Sequence, residues 1–252
     1  MLKNTFIHID GIGIATERKL WRKGIHDWND LLERGLEYLP ETRRSSIRSC
    51  VCESIRCYEA HDWAFFEQNL PPSQKWRAYR VLKDQALFLD IETTGLTDSD
   101  SITMIGMYNG SETKIFVAGF NLEDAVAEIN RYPLLVTFNG TSFDLPVIRR
   151  RFINISDDHI HIDLRYSLRA LGYRGGLKAI EKEFGIERSH ETRFFGGCDA
   201  VRLWNQYLSG SGKALELLKK YNEEDVRSLK VLLEKVWCQS TCKIGMPGIC
   251  AV

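Results

Sequence analysis

The run Ala86-Leu87-Phe88-Leu89-Asp90-Ile91-Glu92 constrains this chain more than any other stretch. It is short and mostly apolar, which predicts a strand over 86–91 buried on both faces of a sheet. The two acids are the exception. Residues i and i+2 of a strand point to the same side, so Asp90 and Glu92 share a face at the strand's end. Two carboxylates together on an apolar strand repel each other and are costly to desolvate. A divalent cation relieves both problems, since Mg²⁺ and Mn²⁺ prefer oxygen ligands. The plainer alternative is that the strand ends here and both acids are solvated.

The surrounding pattern supplies the rest of a sheet. Strand-like segments follow at 102–108 and 113–118, with turn signals at Asp98-Ser99-Asp100 and Asn109-Gly110. Residues 122–131 then read as helix, 133–138 as strand, 145–152 as helix and 159–164 as a last strand. Helices are expected near 176–184, 198–208 and 213–236, split by glycines. A three-strand meander followed by alternating helix and strand predicts an α/β fold, a mixed sheet flanked by helices. Upstream, helical spacing at 15–28, 31–39 and 47–66 marks residues 1–80 as a small helical N-terminal domain, closed by Leu70-Pro71-Pro72-Ser73. Residues 237–252 lack periodicity and read as a Cys-containing tail.

Composition narrows the function classes. Lys plus Arg equals Asp plus Glu at 34 each, which excludes a binder that holds nucleic acid by bulk charge alone. No apolar run reaches the ~20 residues of a membrane span. The start, Met1-Leu2-Lys3-Asn4, lacks a secretory leader, and the seven cysteines are not needed to hold together 252 residues. A cytoplasmic protein with reduced thiols is expected. The groups Cys50, Cys52, Cys57 and Cys238, Cys242, Cys250 match no strong metal-binding spacing.

Two further motifs extend the acidic set. In Phe138-Asn139-Gly140-Thr141-Ser142-Phe143-Asp144, the Asn-Gly turn follows a strand and delivers Asp144 to the start of the next helix. If that strand lies parallel to the first, Asp144 reaches the same sheet edge as Asp90; otherwise it is a helix cap. Tyr221 and Asp225, at i and i+4, share a face of the last long helix.

Asp-x-Glu on a strand, Asn-Gly-x-x-Phe-Asp after a later strand, and Tyr-x-x-x-Asp on a C-terminal helix resemble the DEDD (DnaQ-like) exonuclease superfamily, in its tyrosine subtype. Residues 84–236 are most similar to the YprB-type ribonuclease H-like domain family, related to the proofreading domains of family B DNA polymerases. Phe88-Leu89-Asp90-Ile91-Glu92-Thr93-Thr94-Gly95-Leu96, His161-Ile162-Asp163-Leu164 and Tyr221 with Asp225-Val226 carry the resemblance. It implies a two-metal 3′–5′ exonuclease using two Mg²⁺ or Mn²⁺ ions. Asp90 would bridge them, Glu92 and Asp225 would complete one site, Asp144 would help hold the other, and Tyr221 would orient water. Asp163 would support the site or cap the following helix. His159 and His161 read as packed or surface residues.

The substrate expected is a single-stranded DNA or RNA end. Thr93, Thr94, Gly95 and Leu96 would meet the terminal nucleotide, Asn139 its sugar or phosphate, and Arg149 and Arg150 further phosphates, although either arginine taken singly reads better as part of a solvated helix face. Ile9-Asp10-Gly11-Ile12-Gly13-Ile14-Ala15 resembles a helix-hairpin-helix turn, where Gly11 and Gly13 would expose backbone N–H groups to phosphate, and it tilts the choice toward DNA. A simple helix connector competes with that reading. An RNA-trimming ribonuclease or structure-specific endonuclease on the same scaffold, and a non-catalytic binding module of a repair complex, are the competing functions.

Overall fold

The structure, a computed structural model, describes residues 1–95, 97 and 101–245. Five strands form one sheet in the order β3-β2-β1-β4-β5. They are β1 (Ala86–Thr93), β2 (Ile102–Tyr108), β3 (Thr113–Val117), β4 (Leu134–Thr137) and β5 (Ile160–Asp163). The meander β1–β3 is antiparallel, whereas β4 and β5 join parallel to β1. This is the mixed, helix-flanked α/β sheet of a ribonuclease H-like fold, with β1 at its centre.

The helices are α1 (Ile14–Arg22), α2 (Trp28–Asp30), α3 (Glu41–Glu59), α4 (Trp63–Asn69), α5 (Tyr79–Leu82), α6 (Ala125–Ile129), α7 (Asp144–Arg151), α8 (Leu164–Leu171), α9 (Leu177–Glu183), α10 (Gly197–Leu208) and α11 (Gly212–Ile244). Local chemistry shortens several expected helices. The one expected over 15–28 stops at Arg22, where Gly24 turns the chain at φ 77°. The pattern over 47–66 splits because His61 adopts φ 57° and Asp62 caps α4 through the Phe65 N–H. Residues 31–38 form a wide π turn and a tight 3₁₀ turn.

The tail expected from 237 is corrected: α11 continues to Ile244 and ends at Gly245, φ 65°. Its last turns bury Ser240 and Thr241, so no apolar stripe announces them, and the Thr241 hydroxyl donates to helix carbonyls at 2.8 and 2.9 Å. Leu96 and Cys250 lie outside the described residues.

Period-two alternation of β1 sets the layers. Leu87, Leu89 and Ile91 face a core closed by α6 and α7. Ala86 and Phe88 face the opposite core, which they share with Leu2, Phe6, Trp28 and Phe66 of the N-terminal region and with Leu229, Val236 and Ile244 of α11. The helical N-terminal region and the sheet thus share one apolar interior. A fully buried ion pair ties the N-terminal region together: Arg77 donates to Glu17 at 2.8 and 2.9 Å, and Glu17 also accepts the Phe6 N–H at 2.7 Å. Arg18 donates to the carbonyls of Lys243 and Ile244, capping α11 from a residue near the other end of the chain.

Gly106 of β2 controls how closely α11 lies on the sheet. It pairs with Asp90, and a Cβ built on it would sit 1.8 Å from the Asn222 side-chain oxygen. A Gly106→Ala substitution should therefore displace Asn222 or lift α11, costing about 1–3 kcal/mol as overpacking. Thermal unfolding checks this, with Tm falling by about 2–4 °C per kcal/mol in a chain this size. An unchanged Tm would contradict the close approach.

Candidate metal centre and active-site cleft

The face of β1 that takes Ala86 and Phe88 into the core also carries Asp90 and Glu92, where the apolar cover opens into a cleft of about 730 Å³. Helix α11 packs across β1 and β2 and brings Asp225 to the same place. One carboxylate oxygen from each of Asp90, Glu92 and Asp225 lies within 4.8 Å of the others. Asn222, one residue after Tyr221, donates to Asp90 at 2.9 Å.

Asp144 arrives from the other side. The parallel ladder between β1 and β4 ends at Phe88 and Val136, which leaves the Ile91 N–H without a strand partner there. Asp144, the first residue of α7, accepts that N–H at 3.2 Å and is 4% exposed. The parallel pairing places it on the sheet edge expected. Tyr221 joins the same cleft wall, with Phe195 against its ring at 6.1 Å between centroids.

So many acids in one place are poorly compensated. Burial first, then Asp225, Asp144 and Glu92, raise the Asp90 carboxyl well above the ordinary range. Burial and then Asp225 push Glu92 up to about 8. Burial raises Asp144 to about 7 against the backbone N–H groups that favour its ionised form. Burial raises Asp225 to about 6 despite the Arg188 guanidinium. Burial and Asp225 also push the Tyr221 phenol far up, so it keeps its proton. The donor set is all oxygen, and the Asn222 side-chain oxygen is buried without a partner. These residues fit a hard divalent cation such as Mg²⁺ or Mn²⁺.

A family model described as the RNase_H superfamily matches residues 87–237. The chain belongs to the RNase H superfamily. No curated protein matches it. Among solved structures, it is similar to the family B DNA polymerase of the hyperthermophilic archaeon Pyrobaculum calidifontis, at 18% identity and a TM-score of 0.50 over 60% of this chain and 24% of the polymerase. The chain thus spans about a quarter of that polymerase's length, and the likeness shows the fold. A nuclease in its apo form matches at 21% identity and a TM-score of 0.46, covering 68% and 79% of the two chains. The Nibbler EXO domain of Aedes aegypti matches at 11% and 0.46, covering 68% and 86%.

Within this RNase H-superfamily sheet the expected nucleic-acid contacts divide. Thr93, Thr94, Gly95 and Asn139 line the cleft. Asn139 sits at φ 67°, held by its N–H to Asp163 at 2.8 Å, while its side-chain oxygen accepts from Arg165. Asp163 does both jobs open to it. It accepts the N–H groups of Asn139 and Thr141 and caps α8 through the Arg165 N–H at 3.0 Å.

Arg149 and Arg150 do not line the cleft. Both are exposed on α7, and Arg149 pairs with Asp157 at 2.7 Å beside a separate cavity that includes His159. Gly11 and Gly13 lie in another depression at the start of α1, preceded by turns and one 3₁₀ turn, Leu2–Asn4, rather than a full first helix. His159 and His161 are both buried, and His161 hydrogen-bonds Thr137 at 2.8 Å.

Three further residues join the site. Arg188 donates to Asp225 and forms a bidentate pair with Glu181 at 2.6 and 2.7 Å. Asn222 shares a helical turn with Asp225, and that i to i+3 spacing was a usable signal. Arg188 follows Gly185 in an irregular segment, where no periodicity marks it. Lys178 lines the same cleft, with its Nζ 4.6 Å from the Tyr221 ring centroid.

The raised carboxyls give a signed pH dependence. Glu92 rises from an ordinary 4.5 to about 8, so the folded chain holds its proton more tightly than the unfolded one. Its contribution to metal-free stability is full below the lower value and lost as pH rises through the upper one. In EDTA, Glu92→Gln should match wild type near about pH 4 and exceed it near about pH 8 by at least ~1 kcal/mol. Melting curves across that range check this, and parallel curves would refute it.

Proposed function

We propose that this chain is a metal-dependent 3′–5′ exonuclease, of the tyrosine subtype of the DEDD group and of YprB type, which hydrolyses phosphodiester bonds at single-stranded nucleic acid ends. DNA is weakly preferred over RNA. The observation that carries the reading is the meeting of Asp90, Glu92 and Asp225 beside Asp144 and Tyr221 in one cleft. A site that merely gripped phosphate would not gather carboxylates, which repel it.

Asp90, whose carboxyl Asp225, Asp144 and Glu92 all raise, would be common to two Mg²⁺ or Mn²⁺ ions, with Glu92 and Asp225 helping to hold one and Asp144 the other. When bound, such ions make water nucleophilic near neutral pH and offset charge on the transferring phosphoryl group. The protein's own groups do the positioning. Asn222 fixes the Asp90 carboxylate, and Arg188 fixes that of Asp225. The protonated Tyr221 hydroxyl orients the attacking water by hydrogen bonding and does not remove its proton, because its pKa is raised. Thr93, Thr94, Gly95 and Asn139, all lining the cleft, contact the terminal nucleotide. The Gly11–Gly13 turn is a further phosphate contact.

The test uses end-labelled single-stranded and duplex DNA and RNA with Mg²⁺, Mn²⁺ or EDTA. Release should need the metal, begin at the 3′ end, and favour single strands. Asp90→Ala should lose activity by a factor of at least ~10³, while Tyr221→Phe should lower kcat by about 10²–10⁴ with calorimetric metal binding intact. Equal turnover by wild type and Asp90→Ala would overturn the mechanism.

A further inference from the structure

Phe194 is 81% exposed, on the segment that joins α9 to α10. An isolated exposed aromatic is ordinary on a protein surface. The position of this one is not. The next residue, Phe195, packs against Tyr221, and Gly196, Gly197 and Cys198 line the cleft that holds the carboxylates. Phe194 thus lies two residues, about 7 Å of backbone, from Gly196, the first cleft-lining residue of this segment.

The segment is firmly held, so the exposure is not that of a slack loop. Thr192 is fully buried and donates to Glu224, which also accepts the Ser189 N–H at 3.2 Å. The Phe195 N–H returns to the Thr192 carbonyl at 2.9 Å, and Glu191 pairs with Lys220. Glu224 and Lys220 belong to the same turns of α11 as Tyr221 and Asp225. The guanidinium of Arg193 lies 4.6 Å from the centre of the Phe194 ring. One face of the ring thus carries a cation, and the high exposure leaves the other open.

We propose that Phe194 is a stacking platform for one base of a single-stranded nucleic acid whose end lies in the cleft, with Arg193 meeting the flanking phosphate. The proposal rests on the nuclease reading above and adds a substrate contact to it. Every nucleobase offers a flat π face, so an aromatic platform binds without regard to sequence, and a neighbouring guanidinium adds charge and cation–π attraction. Bases within a duplex are stacked on each other and paired, so only an unpaired strand can use such a platform. Held in place before binding, the ring loses little freedom when a base settles on it.

The test is fluorescence anisotropy of the full chain in EDTA with labelled oligothymidylate and oligouridylate of about ten nucleotides. Phe194→Ala should weaken both by about 5- to 100-fold, and Phe194→Tyr should stay within about threefold of wild type. With metal present, Phe194→Ala should raise KM by a similar factor and leave kcat within about twofold. Circular dichroism establishes that each variant folds. Unchanged oligonucleotide affinity in Phe194→Ala, as for a ring that instead serves a protein interface, overturns the platform while wild-type cleavage leaves the nuclease reading standing. Binding that depends on Phe194 without any cleavage by wild type upholds the platform and defeats the nuclease reading.

Discussion

The close approach of α11 to the centre of the sheet governs nearly everything else in this molecule. A helix and a strand usually keep side chains between them, but at Gly106 there is none, and Asn222 fills the space. That single absent Cβ lets Asn222 reach Asp90 and lets Asp225 come within ligand distance of Asp90 and Glu92. The acids meet because backbone geometry forces them to, against their mutual repulsion. Apolar burial elsewhere along α11, from Leu218 to Val236, supplies the force that holds them there.

The charge arrangement around the cleft has a consistent logic. Arg188 is committed on one side to Glu181 and on the other to Asp225, so its guanidinium steadies a carboxylate without neutralising the group as a whole. The remaining negative charge is left for cations from solution. Burial also lowers the pKa of Lys178 beside Tyr221, with Arg188 adding to that effect. Lys178 and Arg188 both lie against the Tyr221 ring, with Arg188 also reaching the Asp225 carboxylate.

Much of this was legible in the residues, for reasons that can be stated. The alternation of β1 and the i to i+4 spacing of Tyr221 and Asp225 are short-range regularities, and the fold follows both. The parallel pairing that brings Asp144 to Asp90 was open in the sequence, and the structure supplies it. Arg188 was not legible, because its role depends on where an irregular segment meets α11. Arg149 and Arg150 were placed by charge alone, and charge carries no direction; both lie on the exposed side of α7. The C-terminal turns carry no apolar stripe because Ser240 and Thr241 are buried there, the Thr241 hydroxyl bonding its own helix. Nor could a stretch of sequence reveal that residues 1–80 and α11 share an interior, a property of packing at long range.

That shared interior has a consequence for how the protein comes into being. Leu2 and Phe6, made well before α11, rest in the same core as Leu229, Val236 and Ile244, and Arg18 closes the far end of α11. Until α11 has left the ribosome, the N-terminal helices lack part of their cover and the strand acids lack Asp225. Contacts so distant along the chain form late. A nascent or partly unfolded copy therefore has neither a finished core nor a finished set of carboxylates, so the acidic cluster is assembled in the same step as the fold.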